Sequence, residues 1–126
     1  MIHLDANVLI AMAKVTDAHH AAARAVAAKP HVFSTSAVAW MEFLSQPVPP
    51  ACTLALQGIL TGGILPFDQS TAALAGELFH LSGAKRRTRL DCMIAAAAIL
   101  ADAQLATTNP DDFTPFIPLG LKLLHL

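Results

Sequence analysis

Met1-Ile2-His3-Leu4-Asp5 and the run that follows it, Ala6-Asn7-Val8-Leu9-Ile10, decide how the chain is read. The first run predicts a short buried strand over 2–5, and the second a helix from Asn7 to about Ala13. Asp5 stands at the junction. A carboxylate in so apolar a setting is costly unless a cation or hydrogen-bond donors meet it. Two further acids have similar surroundings, Glu42 in Trp40-Met41-Glu42-Phe43-Leu44 and Asp91 in Leu90-Asp91-Cys92-Met93-Ile94. Three carboxylates where hydrophobic residues are expected point to one shared hard cation and to metal-dependent chemistry.

Outward from that stretch, strand-like and helix-like segments alternate. A helix capped by Asp17 runs to about Ala28 and stops at Lys29-Pro30. Val32-Phe33 is a short strand, and Ser34, Thr35 or Ser36 caps a helix that ends near Ser45, before Pro47. A helix over 51–60 ends at Gly62-Gly63. A strand over 64–67 precedes a helix capped by Asp68 or Ser70 and stopped by Ser82-Gly83. Residues 90–103 form a helix that is apolar nearly all round, hence buried. Gln104-Leu105-Ala106-Thr107 is a strand, Asp111-Asp112-Phe113 a loop or one helical turn, and Ile117-Pro118-Leu119 a weak last strand. The apolar end, Leu119 to Leu126, packs on the sheet or completes a partner's groove. This order implies βαβ units and a mostly parallel sheet covered on both faces. In such a sheet, ligands gather at the carboxyl ends of the strands. Asp5 and the Thr107-Thr108-Asn109 segment both follow strands, so they converge on one edge.

The chain has 126 residues, which suits one domain over 1–126. Hydrophobic residues make up 55% and charged residues 13%. Such a surplus implies either a surface covered by a partner or second copy, or simply the abundance of Ala. The longest apolar stretch, Cys92 to Ala101, is far short of the roughly 18 residues that span a bilayer. No signal-peptide pattern is visible. Cys52 and Cys92 form no C-x-x-C pair and read as small core residues in a reducing compartment. A cytoplasmic protein with no membrane segment is the expectation. Net charge is −1, yet four of the eight basic residues fall in Lys85-Arg86-Arg87-Thr88-Arg89, just before Asp91. A basic stripe beside a carboxylate site favours phosphate-backbone contact over a merely solubilising loop. His19 and His20 are far in sequence from the acids and read as surface or dimer residues. Trp40 reads as core.

Several motifs resemble those of PIN-domain ribonucleases of the VapC toxin type. Leu4-Asp5-Ala6-Asn7-Val8-Leu9-Ile10 is similar to the family's opening, and His19-His20-Ala21-Ala22-Ala23-Arg24 to a segment of one VapC subgroup. Glu42 matches the second acid, and Arg89-Leu90-Asp91-Cys92-Met93-Ile94-Ala95-Ala96 the third acid and its helix. Thr107-Thr108-Asn109-Pro110-Asp111-Asp112-Phe113 is similar to the closing T-x-N-x-x-D-F pattern. The resemblance implies a PIN-like three-layer α/β/α fold with a mostly parallel five-stranded sheet. It also implies a homodimer, Mg²⁺- or Mn²⁺-dependent endoribonuclease activity, and a VapB-like antitoxin that threads an apolar segment along the toxin. On this basis Asp5, Glu42 and Asp91 form the metal shell, directly or through water. Asn109 replaces the family's fourth acid, and Asp112 supplies the missing charge or a site for another ion. Thr107 and Asn7 orient Asp5, and Lys85, Arg86, Arg87 and Arg89 grip RNA phosphates.

Three other readings stay open on the sequence alone. A haloacid-dehalogenase-like phosphatase also begins with a strand-end Asp, but it wants a second Asp where this chain has Asn7. A degenerate PIN module would bind RNA or a partner without catalysis. A plain interaction domain would show no metal dependence.

Overall fold

A computed structural model describes residues 1–126. Eleven main elements follow one another: β1 (Ile2–Leu4), α1 (Ala6–Ala13), α2 (His20–Ala27), β2 (Phe33–Ser36), α3 (Ala37–Leu44), α4 (Pro50–Ile59), β3 (Ile64–Leu65), α5 (Gln69–Leu81), α6 (Arg89–Leu100), β4 (Gln104–Thr107) and β5 (Lys122–His125). Short 3-10 turns cover Arg86–Thr88, Pro110–Asp112 and Thr114–Leu119. The strands lie in the order β3-β2-β1-β4-β5, and every pairing is parallel. The α/β architecture expected of a PIN-like chain is therefore present.

Side-chain alternation along the strands divides the core in two. Ile2 and Leu4 pack with Val8 and Leu9 of α1 and Leu56 of α4 on one face. Leu105 packs with Leu78 of α5 and Ile94, Ala95 and Ala98 of α6 on the other. Period-two alternation explains the split, because successive residues of a strand point to opposite faces. Small side chains let α6 sit close on the sheet, and Ala95, Ala96 and Ala98 are fully buried.

The structure differs from the sequence reading at three places. The last strand is not 117–119 but Lys122–His125, in the apolar tail, paired with β4. Residues 114–119 form a 3-10 turn containing Pro115 and Pro118, which have no N–H to give to a ladder. Gly120, at φ 112°, then turns the chain into β5. Second, β2 extends through Ser34, Thr35 and Ser36, all buried. Their hydroxyls are accommodated because Ser34 bonds His3, Thr35 donates to the Leu4 carbonyl at 2.7 Å, and Ser36 caps α3. Third, α2 begins at His20 rather than after Asp17, whose carboxylate accepts from the His19 N–H instead. His20 is not a free surface group, since its Nδ1 lies 2.7 Å from the Ala11 carbonyl and ties α2 to the end of α1. Trp40 packs on the core, its ring 5.1 Å from that of Phe43. Cys92 is buried, Cys52 is half-buried, and both are free thiols. No helix is long and apolar enough to cross a membrane.

His3 is fully buried in β1, with Nδ1 2.9 Å from Ser34 Oγ and no partner for Nε2. Burial lowers its pKa from 6.5 to about 4. The unfolded chain therefore binds the proton first, and the fold loses stability as pH falls from 6.5 towards 4. The full loss is about 3 kcal/mol. Urea unfolding at pH 7 and pH 4.5 should show a clearly smaller acid loss for His3→Gln than for the native chain.

Candidate metal centre

The strand order reverses between β1 and β4, because α1 leaves β1 toward one edge and the chain returns at β4 to build the other. In a doubly wound sheet this switch point opens a crevice at the carboxyl ends of the two strands. Asp5 follows β1, while Asn109 and Asp112 follow β4. Glu42 reaches the crevice from the last turns of α3 and Asp91 from the first turn of α6. Asp5, Asn7, Glu42, Asp91, Asn109 and Asp112 all line one cavity of about 310 Å³.

Asp5 is buried, and its two carboxylate oxygens have separate donors. Oδ1 accepts from the Ala6 N–H at 2.7 Å, which caps α1, and Oδ2 accepts from the Thr107 hydroxyl at 2.8 Å. The Thr107 oxygen in turn accepts from Asn7 Nδ2 at 3.3 Å and from the Asn109 N–H at 3.1 Å. Asn7 Oδ1 accepts from the Thr108 N–H at 3.1 Å. Asn7 thus stitches α1 to the loop after β4 and holds Thr107, which holds Asp5. Each Asp5 oxygen keeps a lone pair that these two bonds do not use.

The electrostatics show that the acids share a field. Burial raises the Asp5 pKa, and the charge of Asp112 raises it further against the pull of its hydrogen bonds. Burial and the charge of Asp5 raise that of Glu42. Asp91 is pushed up to about 7, by burial first and then by Asp5, Asp112 and Glu42. Its place in the first turn of α6 would by itself favour the anion. Desolvation and three like charges outweigh that helix effect.

No Lys, Arg or His lines this cavity, and no ion pair involves its carboxylates. Its donor atoms are carboxylate and amide oxygens, the set suited to a hard divalent cation. No three His, Cys, Asp or Glu side chains are gathered tightly enough to grasp an ion directly. The chemistry of these donors suits a hard cation, while the side chains as placed do not enclose one. Gln46, four residues beyond Glu42, also lines the cavity. The sequence reading missed it, although its i+4 spacing from Glu42 was the available signal.

The basic segment does not converge as a unit. Lys85 and Arg87 line a neighbouring cavity that includes Asp91 and Asp112. Arg89 lies with its guanidinium carbon 5.4 Å from the centroid of the Phe79 ring and lines a different, mostly apolar cavity. Arg86 is exposed and lines neither.

Fold and site together define a doubly wound α/β protein with an acidic pocket at its switch point. The PIN-domain family profile matches residues 2–114, and the chain belongs to that family. No curated protein sequence matches it significantly. Among solved structures, FitAB bound to an IR36 DNA fragment is similar at TM-score 0.76 and 20% identity, over 99% of this chain and 94% of that one. FitAcB from Neisseria gonorrhoeae is similar at TM-score 0.70 and 21% identity, over 98% and 96%. Mycobacterium tuberculosis VapC20, a sarcin–ricin loop cleaving toxin, is similar at TM-score 0.66 and 22% identity, over 82% and 85%. At these identities the likeness is one of fold.

A raised carboxylate pKa means that the folded chain holds a proton the unfolded chain releases. For Asp91, stability without metal therefore falls as pH rises from 3.8 towards about 7. Asp91→Asn should flatten that fall, so the variant gains thermal stability over the native chain at pH 8 and loses the gain at pH 4. Differential scanning calorimetry in chelator reads both.

Proposed function

We propose that the chain is a Mg²⁺- or Mn²⁺-dependent endoribonuclease, acting as the toxin of a toxin–antitoxin pair. The observation that carries this reading is the single cavity onto which Asp5, Glu42, Asp91, Asn109 and Asp112 open, with no cation of its own. A bound divalent ion would supply Lewis-acid polarisation of a phosphodiester and make a water more acidic at neutral pH. The chain's residues do the rest. Asp5, Glu42 and Asp91 would hold the ion, directly or through water. Asp112 adds charge where Asn109 has an amide, and Asn109 orients water or the scissile phosphate. Thr107, held by Asn7, fixes the Asp5 carboxylate.

A protein partner is supported by a second surface. A groove of about 380 Å³ includes Met12, Val15, Cys52, Leu56 and Ile59 and is apolar over most of its lining. Val15 and Leu54 are among the large apolar side chains left exposed. Such surfaces mark interaction sites. The similar structures include a toxin–antitoxin complex from Klebsiella pneumoniae and a DNA-bound VapBC from Salmonella typhimurium. A VapB-like antitoxin and a homodimer are the partners we assign, in the cytoplasm, where the RNA lies and the two thiols stay reduced.

Cleavage of cellular RNA should require Mg²⁺ or Mn²⁺. Asp5→Asn should lower it on the order of 100-fold or more, with the circular dichroism spectrum unchanged. Thr107→Val should weaken Mn²⁺ binding by about 10–100-fold in calorimetry, because it frees the ligand's rotamer without removing a ligand. Sequencing of RNA ends after induction, native against Asp5→Asn, identifies the target. Metal-independent turnover, or full activity in Asp5→Asn, overturns the assignment.

A further inference from the structure

The cations of residues 85–89 stand in different environments, and that difference traces a path for the substrate. Lys85 and Arg87 line a concavity of about 400 Å³ together with Thr88, Asp91, Asp111 and Asp112. Asp91 and Asp112 also line the acidic cavity, so the two hollows adjoin across those side chains. Lys85 and Arg87 face three carboxylates yet pair with none. The chain's ion pairs are His19–Asp17 and Lys122–Asp102.

The segment that carries these cations is a built turn. Gly83 and Ala84 are both left-handed, at φ 106° and 56°, and the Ala84 N–H closes on the Phe79 carbonyl at 2.8 Å. A left-handed Ala is unfavourable and persists only where its surroundings hold it. Beyond it, the Thr88 hydroxyl donates to the Lys85 carbonyl at 2.7 Å and the Thr88 N–H to the same oxygen at 2.9 Å. Lys85 and Arg87 therefore project from a fixed frame.

Two free cations on one wall of a polar hollow suit an anion. The acidic wall would repel a free anion unless its charge were offset at the neighbouring centre. A phosphodiester chain meets both conditions, since one phosphate lies at the acidic cavity with its cation and another reaches the basic wall. We propose that this second cavity seats a non-scissile phosphate of single-stranded RNA, with Lys85 and Arg87 as its ligands, and that Arg89, stacked on Phe79, lies outside this grip. The inference rests on the ribonuclease reading above and adds to it the course of the strand.

The test is fluorescence anisotropy of a labelled single-stranded RNA on the Asp5→Asn background, which silences cleavage, in Mg²⁺ and at several salt concentrations. One phosphate neutralised on a single strand sets a slope of about 0.7 in log affinity against log salt. Lys85→Gln with Arg87→Gln should remove about that much slope. The charge-keeping pair Lys85→Arg with Arg87→Lys should restore it, and Lys29→Gln, at the far end of α2, controls for net charge. In the otherwise native enzyme the Gln pair should raise KM with little change in kcat. Unchanged slope and KM in a chain that cleaves RNA overturn this proposal alone, whereas a native chain that neither cleaves nor binds RNA removes the parent reading with it. An equal loss of slope on Arg89→Gln, or a Gln pair that loses only a protein partner's binding, also overturns it.

Discussion

The hydrogen bond from the Thr107 hydroxyl to the Asp5 carboxylate is the constraint on which the site depends. A buried carboxylate without donors is too costly to keep, and here each of its oxygens has one. Thr107 ends β4 and Asp5 follows β1, so the bond spans the switch point of the sheet. Asn7 and the Asn109 N–H close on the same hydroxyl oxygen. The motif around Asp5 and the motif around Thr107 are thus two halves of one bracket, nearly the whole chain apart in sequence.

Around that bracket the protein leaves electrostatic strain unrelieved. Four carboxylates share a hollow without a basic side chain, and Asp91 is pushed up to about 7 by burial first and then by the other three. Such an arrangement lowers the stability of the fold at neutral pH, the usual compromise between stability and function. Elsewhere the construction is economical. Buried alanines let α6 lie on the sheet, and the polar side chains of β2 find partners within the fold.

Much of this was legible in the residues. Carboxylates in apolar stretches singled out Asp5, Glu42 and Asp91; of these Asp5 is buried, while Glu42 and Asp91 are half-buried on the wall of the same cavity. Alternating strand and helix patterns gave the parallel α/β layering. The errors lie where local chemistry has two uses. Ser34-Thr35-Ser36 reads as capping chemistry, and one of the three does cap, but all three belong to a strand. Ile117-Pro118-Leu119 has β-branched and apolar character, yet two prolines in 114–119 bar a ladder there, and the strand forms beyond Gly120.

By itself the sequence determined which residues are out of place in a core, since hydrophobicity and charge are properties of each side chain and its near neighbours. It determined the alternation that makes parallel pairing the stable solution. Only the tertiary structure decided that Lys85 and Arg87 line the hollow beside the acidic cavity while Arg89 stacks on Phe79. Direction on a turn depends on backbone angles such as those of Gly83 and Ala84, and composition carries no trace of them. Likewise, only the fold brought the acids to one hollow. That convergence comes from the packing of α3 and α6 against the sheet, which no local stretch of residues encodes.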